Sequence, residues 1–178
     1  MRTTFVILLL TLSSICSSQA RAQAGPGCGP ANIKFDVKTK KGKHAAPAIE
    51  QGKALVFFLQ DDLKFNAMPR PTTRFGIDGT WVGATHANSY FYVFVDPGEH
   101  HLCANWQSLV SLDWLESTRS TAAAHFTAQG GKSYYFRARD IENTEDAGEP
   151  EVKLLPVDAD EAQVLMSSFS FSISHPNK

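Results

Sequence analysis

Long apolar runs are missing from this chain. A membrane-spanning helix needs about 20 consecutive apolar residues, and the stretch at the N-terminus covers only residues 5–12. That stretch follows a lone Arg2 and precedes the small-residue run Ala20-Arg21-Ala22-Gln23-Ala24. Basic start, short apolar centre and small-x-small end are the order of a secretory signal peptide. Residues 1–24 therefore read as a leader, with cleavage after Ala22 or Ala24 and a periplasmic or secreted product without a transmembrane anchor. Lipid attachment is not expected, because Cys16 follows the bulky Ile15 and Cys28 follows Gly25-Pro26-Gly27, far from the apolar run.

Clustered positive charge is scarce too. The chain holds 17 Lys+Arg against 18 Asp+Glu. The leader takes Arg2 and Arg21 and no acid, so the mature part carries 15 bases and 18 acids, a net charge of −3. The one basic cluster, Lys38, Lys40, Lys41 and Lys43, lies near the new N-terminus in what reads as an exposed loop. A nucleic-acid surface needs basic residues spread over a face, so nucleic acid is not an expected partner.

Cysteine is the third scarcity. Of three, Cys16 leaves with the leader, and Cys28 and Cys103 remain. In an oxidising compartment two leftover thiols favour a bridge. Closing the loop from residue 28 to residue 103 is worth roughly 4 kcal/mol in the chain-entropy model. It would tie the Gly/Pro-rich start of the mature chain to the domain body. Two separate buried thiols are the alternative.

What is present is β pattern. Residues 25–52 form a lead-in with one strand, where Ile33, Phe35 and Val37 alternate with Lys34 and Asp36. Residues 53–178 form the main domain. Ala54-Leu55-Val56-Phe57-Phe58-Leu59 suits a strand buried on both faces. Asp78-Gly79 between Arg74-Phe75-Gly76-Ile77 and Thr80-Trp81-Val82-Gly83 signals a two-residue hairpin. Residues 89–95 are aromatic and β-branched after Ser89, and stop at Asp96-Pro97-Gly98-Glu99, a type II turn signal. The chain then returns through residues 100–106. Residues 107–118 read as a loop or short turn. Residues 121–127 and 133–138 read as a strand pair joined through Gln129-Gly130-Gly131, and 152–157 as an edge strand because of Pro156. One helix is expected over 159–167, capped by Asp158 with Glu161 three residues on. The strictly alternating 168–178 segment is a last strand or a tail able to complete another chain's sheet. About eight or nine short strands predict an all-β fold, an antiparallel β-sandwich with one short C-terminal helix.

Chemical motifs are thin. Gly131-Lys132-Ser133 lacks the glycine that a phosphate loop needs five residues before its Gly-Lys, since Phe126 stands there. No Gly-x-Ser-x-Gly elbow occurs. On a strand His101 and Cys103 share a face and His100 does not. Two ligands make no metal site without a third from His86, His125 or an acid. The acids Glu142, Glu145, Asp146, Glu149 and Glu151 read as a solvated loop. Trp81 and Trp106 are expected in the core, and Trp114 beside Asp113 as an exposed contact. No catalytic residue, metal ligand or cofactor is expected.

Three segments carry a resemblance: Lys53-Ala54-Leu55-Val56-Phe57-Phe58, Val95-Asp96-Pro97-Gly98-Glu99-His100, and Gly131-Lys132-Ser133-Tyr134-Tyr135-Phe136-Arg137. Their order and spacing resemble the bacterial domain of unknown function 2846 family over residues 50–140. The Pro-Gly-Glu-His turn is also similar, more weakly, to PEGA-type modules. The resemblance implies an exported β-sandwich, in many members a lipoprotein, with no assigned activity and no catalytic residues to carry over. The expectation from all of this is a non-catalytic module with a structural or binding role in the cell envelope. Its partner would be an envelope protein or a cell-wall glycan. The alternatives are a carbohydrate- or peptidoglycan-binding module, and a small metal-dependent enzyme using His86, His101 or His125.

Overall fold

A computed structural model describes residues 28–42, 44–63, 70–107, 120–141 and 151–177. Ten strands and one helix follow in the order β1 (Phe35–Lys40), β2 (Ala54–Asp61), β3 (Thr73–Ile77), β4 (Thr80–Thr85), β5 (Ser89–Val95), β6 (Gly98–Trp106), β7 (Thr121–Ala128), β8 (Ser133–Ile141), β9 (Glu151–Val157), α1 (Ala159–Ser168) and β10 (Ser170–Pro176). They build a six-stranded sheet, β1-β10-β5-β2-β8-β9, facing a four-stranded sheet, β4-β3-β6-β7.

Strand β2, apolar from Ala54 to Leu59, sits at the centre of the larger sheet, between antiparallel β5 and parallel β8. All eight of its residues are buried. Period 2 then divides its side chains between two layers. Ala54, Val56 and Phe58 join Phe75, Phe91, Leu102, Trp106 and Phe136 in the core between the sheets. Leu55, Phe57 and Leu59 join Tyr90 and Phe169 on the outer face, where α1 lies across the sheet. The helix starts as its cap predicts, with Asp158 accepting the Glu161 N–H at 2.8 Å. Its Ala162 is fully buried.

Three connections differ from the sequence expectation. The sandwich is not wholly antiparallel, since β2 pairs β8 and β10 pairs β5 in parallel. The turn after β5 does not return the chain along β5; it carries it into the other sheet, where β6 pairs β3 and β7. Gly98 has φ 142° there, far from the value of about +80° that a type II turn uses. Likewise β7 and β8 lie in different sheets rather than pairing with each other. Local turn chemistry marks a reversal without saying which sheet receives the chain. The Asp78-Gly79 hairpin does form as read, with φ of 49° and 80°.

The C-terminal strand β10 pairs the whole length of β1 within the same domain. Its Ser172 and Ser174 also bond the backbone of Ala84 on β4, closing that flank of the sandwich.

Candidate functional site

A cavity of about 360 Å³ opens on the outer face of the six-stranded sheet. Its floor is Phe57 from β2, Tyr90 and Tyr92 from β5 and Tyr135 from β8. These four residues alternate with core residues, so the pattern that fills the interior with Phe58, Phe91 and Phe136 points them outward. The rings support one another: Phe57 stacks on Tyr135 at 4.8 Å and meets Tyr92 edge-on at 5.7 Å. One wall is residues 44–46, and the opposite wall is Gln163, Met166 and Ser167 of α1. The Tyr90 hydroxyl reaches the His44 carbonyl at 3.4 Å. Burial raises the Tyr90 phenol above its ordinary range, so it keeps its proton as a donor. None of the lining residues is Asp, Glu, Lys or Arg.

Beyond the cavity, Arg137 lies between two acids from different elements, Asp61 of β2 and Glu161 of α1. Arg139 also reaches Asp61, at 3.3 Å. These pairs hold the helix to the sheet.

A second polar cluster is sealed between the sheets at one end. Gln60 Nε2 donates to Asp140 Oδ2 at 2.8 Å and to the Pro71 carbonyl at 2.9 Å. Gln60 Oε1 accepts from Thr85 Oγ1 at 2.8 Å. Trp106 Nε1 donates to Asp140 Oδ1 at 2.8 Å. Asp62 lies beside Asp140, fully buried, and neither of its oxygens meets a donor. Two buried carboxyl groups side by side disfavour both being ionised at once. Burial, and then the neighbouring Asp62, hold Asp140 well above the usual carboxylate range. Burial also raises Asp62, against the opposing influence of the neighbouring Asp140 and Gln60 side chains and of the Arg70 charge. A proton held between the two supplies the missing donor. Through these bonds the buried cluster clamps β2, β4, β6 and β8 together at this end.

Cys28 and Cys103 form a disulfide, with Cα atoms 5.1 Å apart and a sequence separation of 75. The bond lays residues 28–34 over the outer face of the four-stranded sheet. Arg74 of β3 fastens the segment through the Ala31 and Ile33 carbonyls. Trp81 Nε1 donates to the Pro30 carbonyl at 2.8 Å, and the Arg74 guanidinium covers the Trp81 ring at 4.2 Å. A Cβ on Gly29 would stand 2.5 Å from the indole, so only glycine lets the chain pass there.

The sequence-derived residues separate accordingly. Trp106 is core as expected, fully buried. Trp81 is not; it is half-buried on the outer face beneath the N-terminal segment. Trp114 and Asp113 lie outside the described residues. His101 and His125 are cross-strand partners on β6 and β7. His86 is at the other end of that sheet, its Nδ1 2.9 Å from Thr72 Oγ1. Cys103 is consumed by the disulfide. Among the described residues no three His, Cys, Asp or Glu side chains gather as metal ligands. The cavity was missed because its tyrosines read as strand formers. Their alternation with Phe58, Phe91 and Phe136 was the available signal.

The fold is a two-sheet β-sandwich with a helix packed on one outer face. The family whose model matches is "Protein of unknown function (DUF2846)", over residues 50–150. That match covers more than half of the chain, and the chain belongs to this family. The cavity floor lies within the matched range, whereas both walls lie outside it. No curated protein and no solved structure matches the chain. Among the described residues no helix is long and apolar enough to cross a membrane.

Proposed function

We propose that this protein is an exported, non-catalytic binding module of the cell envelope, and that it holds a neutral saccharide unit in the cavity under α1. The observation that carries this is the lining: three tyrosines and a phenylalanine beneath walls that carry His44, Gln163, Ser167 and Met166, with no Asp, Glu, Lys or Arg among the described lining residues. A sugar ring offers C–H faces that pack on aromatic rings and hydroxyls that bond Tyr, Gln, Ser and His at the rim. The volume falls in the range of small-ligand sites. The uncharged lining disfavours anionic ligands. A disulfide-fastened N-terminus and a leader-like first 24 residues support an oxidising, extracytoplasmic setting.

The test is titration calorimetry of the mature protein with an N-acetylglucosamine oligomer, a neutral component of bacterial cell-wall glycan. Binding that drops at least about tenfold in Tyr135→Ala, the loss of roughly one ring contact, supports the proposal. Absence of binding to neutral glycans, or binding indifferent to Tyr135 and Tyr92, overturns it.

A further inference from the structure

Two sheets give four edge strands, and three of them carry protection against pairing with another chain. On β1 there are Asp36, Lys38 and Lys40. On β9 there are Glu151, Lys153 and Pro156. On β4 the Ala84 N–H and C=O are taken by Ser174 and Ser172 of β10. The fourth, β7, reads Thr-Ala-Ala-Ala-His-Phe-Thr-Ala and has no proline, no acid and no lysine or arginine.

The direction of its backbone groups left unpaired among the described residues follows from β6. His101 uses its carbonyl and its N–H on Asp78, on the β3 side, and Gln107 N bonds Thr72 O on that side too. Trp106 N bonds Ser120 O on the β7 side. Odd-numbered β6 residues therefore face β3 and even-numbered ones face β7. By register, Thr121, Ala123, His125 and Thr127 stand opposite Asn105, Cys103, His101 and Glu99. They are the non-hydrogen-bonded positions of that ladder, so their N–H and C=O groups point outward. All four are exposed.

We infer that β7 is a homodimer edge, pairing antiparallel with β7 of a second copy about a two-fold axis at Ala124, so that the four-stranded sheet continues across the dimer. The sequence is complementary to itself in that register: Thr121 meets Thr127 of the copy, Ala122 meets Phe126, and Ala123 meets His125. Each large side chain faces alanine, and threonine faces threonine, a favourable cross-strand pair. Each outward-pointing pair exchanges two backbone hydrogen bonds. Centring the axis on His125 would instead set two histidines against each other. The contact lies on the four-stranded sheet and leaves the cavity under α1 open, so it stands or falls independently of the saccharide proposal.

Sedimentation of the mature protein from micromolar to near-millimolar concentration should show a reversible monomer–dimer equilibrium. Ala123→Pro removes an outward N–H and no β6–β7 bond; it should weaken association at least about tenfold while the circular dichroism spectrum stays unchanged. Ala124→Cys places two thiols on the axis at a close-spaced pair and should give a dimer on a non-reducing gel that runs as monomer after reduction. A wild-type monomer throughout the range overturns the inference. So does a dimer that survives Ala123→Pro, or one in which Ala124→Cys never crosslinks.

Discussion

Asp62 and Asp140 tie the stability of the domain to pH. Both carboxyl groups sit above their ordinary range in the folded protein, first because they are buried. A folded-state pKa raised above the unfolded value means extra stability that is complete below the unfolded carboxylate range. It is lost as pH rises through the folded values. The melting temperature should therefore fall between mildly acidic and alkaline buffer. Asp62→Asn supplies an amide donor to Asp140 without a second charge and should flatten that fall. A wild-type profile with no downward slope toward alkaline pH would contradict the clamp. Gln60→Ala is harsher, because it strips partners from Asp140, Thr85 and the Pro71 carbonyl at once. Each buried polar group left unpaired costs about 1–3 kcal/mol, so the loss in denaturant unfolding should reach several kcal/mol. None of this was legible beforehand. In the sequence Asp61 and Asp62 open a connection rich in proline and charge that runs to Pro71, and Asp140 opens an acidic loop. Only the parallel β2–β8 register, with Gln60 beside Ala138 and Asp61 beside Arg139, brings Gln60 and Asp140 together.

At the scale of elements, the sequence was most informative where period 2 and turn chemistry act locally. The all-apolar 54–59 run became the central strand, Asp78-Gly79 became a hairpin, and Asp158 became a helix cap. It was silent where a choice between sheets is made, as at Asp96-Pro97-Gly98 and Gln129-Gly130-Gly131, because either sheet would bury the same alternating pattern. The cysteine count did reach across that gap, joining the N-terminal segment to β6. Reducing the Cys28–Cys103 bond should lower unfolding stability by about 2–4 kcal/mol. It should also shift tryptophan emission to longer wavelength, as residues 28–34 leave Trp81 while Trp106 stays buried. An unchanged spectrum on full reduction would mean that Arg74 and Trp81 hold the segment without the bond.

Across the whole molecule, the two faces of the larger sheet do different work. One face builds the interior with Val56, Phe58, Phe91 and Phe136. The other is a layer of aromatic rings, partly covered by α1 and residues 44–46, that leaves room for a ligand. A side chain one position along the same strand thus decides between the interior and the cavity face. The central claim is that this aromatic face is the binding face. The most direct measurement is a titration of the isotope-labelled mature protein with an N-acetylglucosamine oligomer, followed by amide chemical shifts. The account predicts saturable shifts concentrated at 44–46, 57, 90–92, 135 and 163–167, and their loss in Tyr135→Ala. Shifts on the four-stranded sheet alone, or none at saturating glycan, would contradict it.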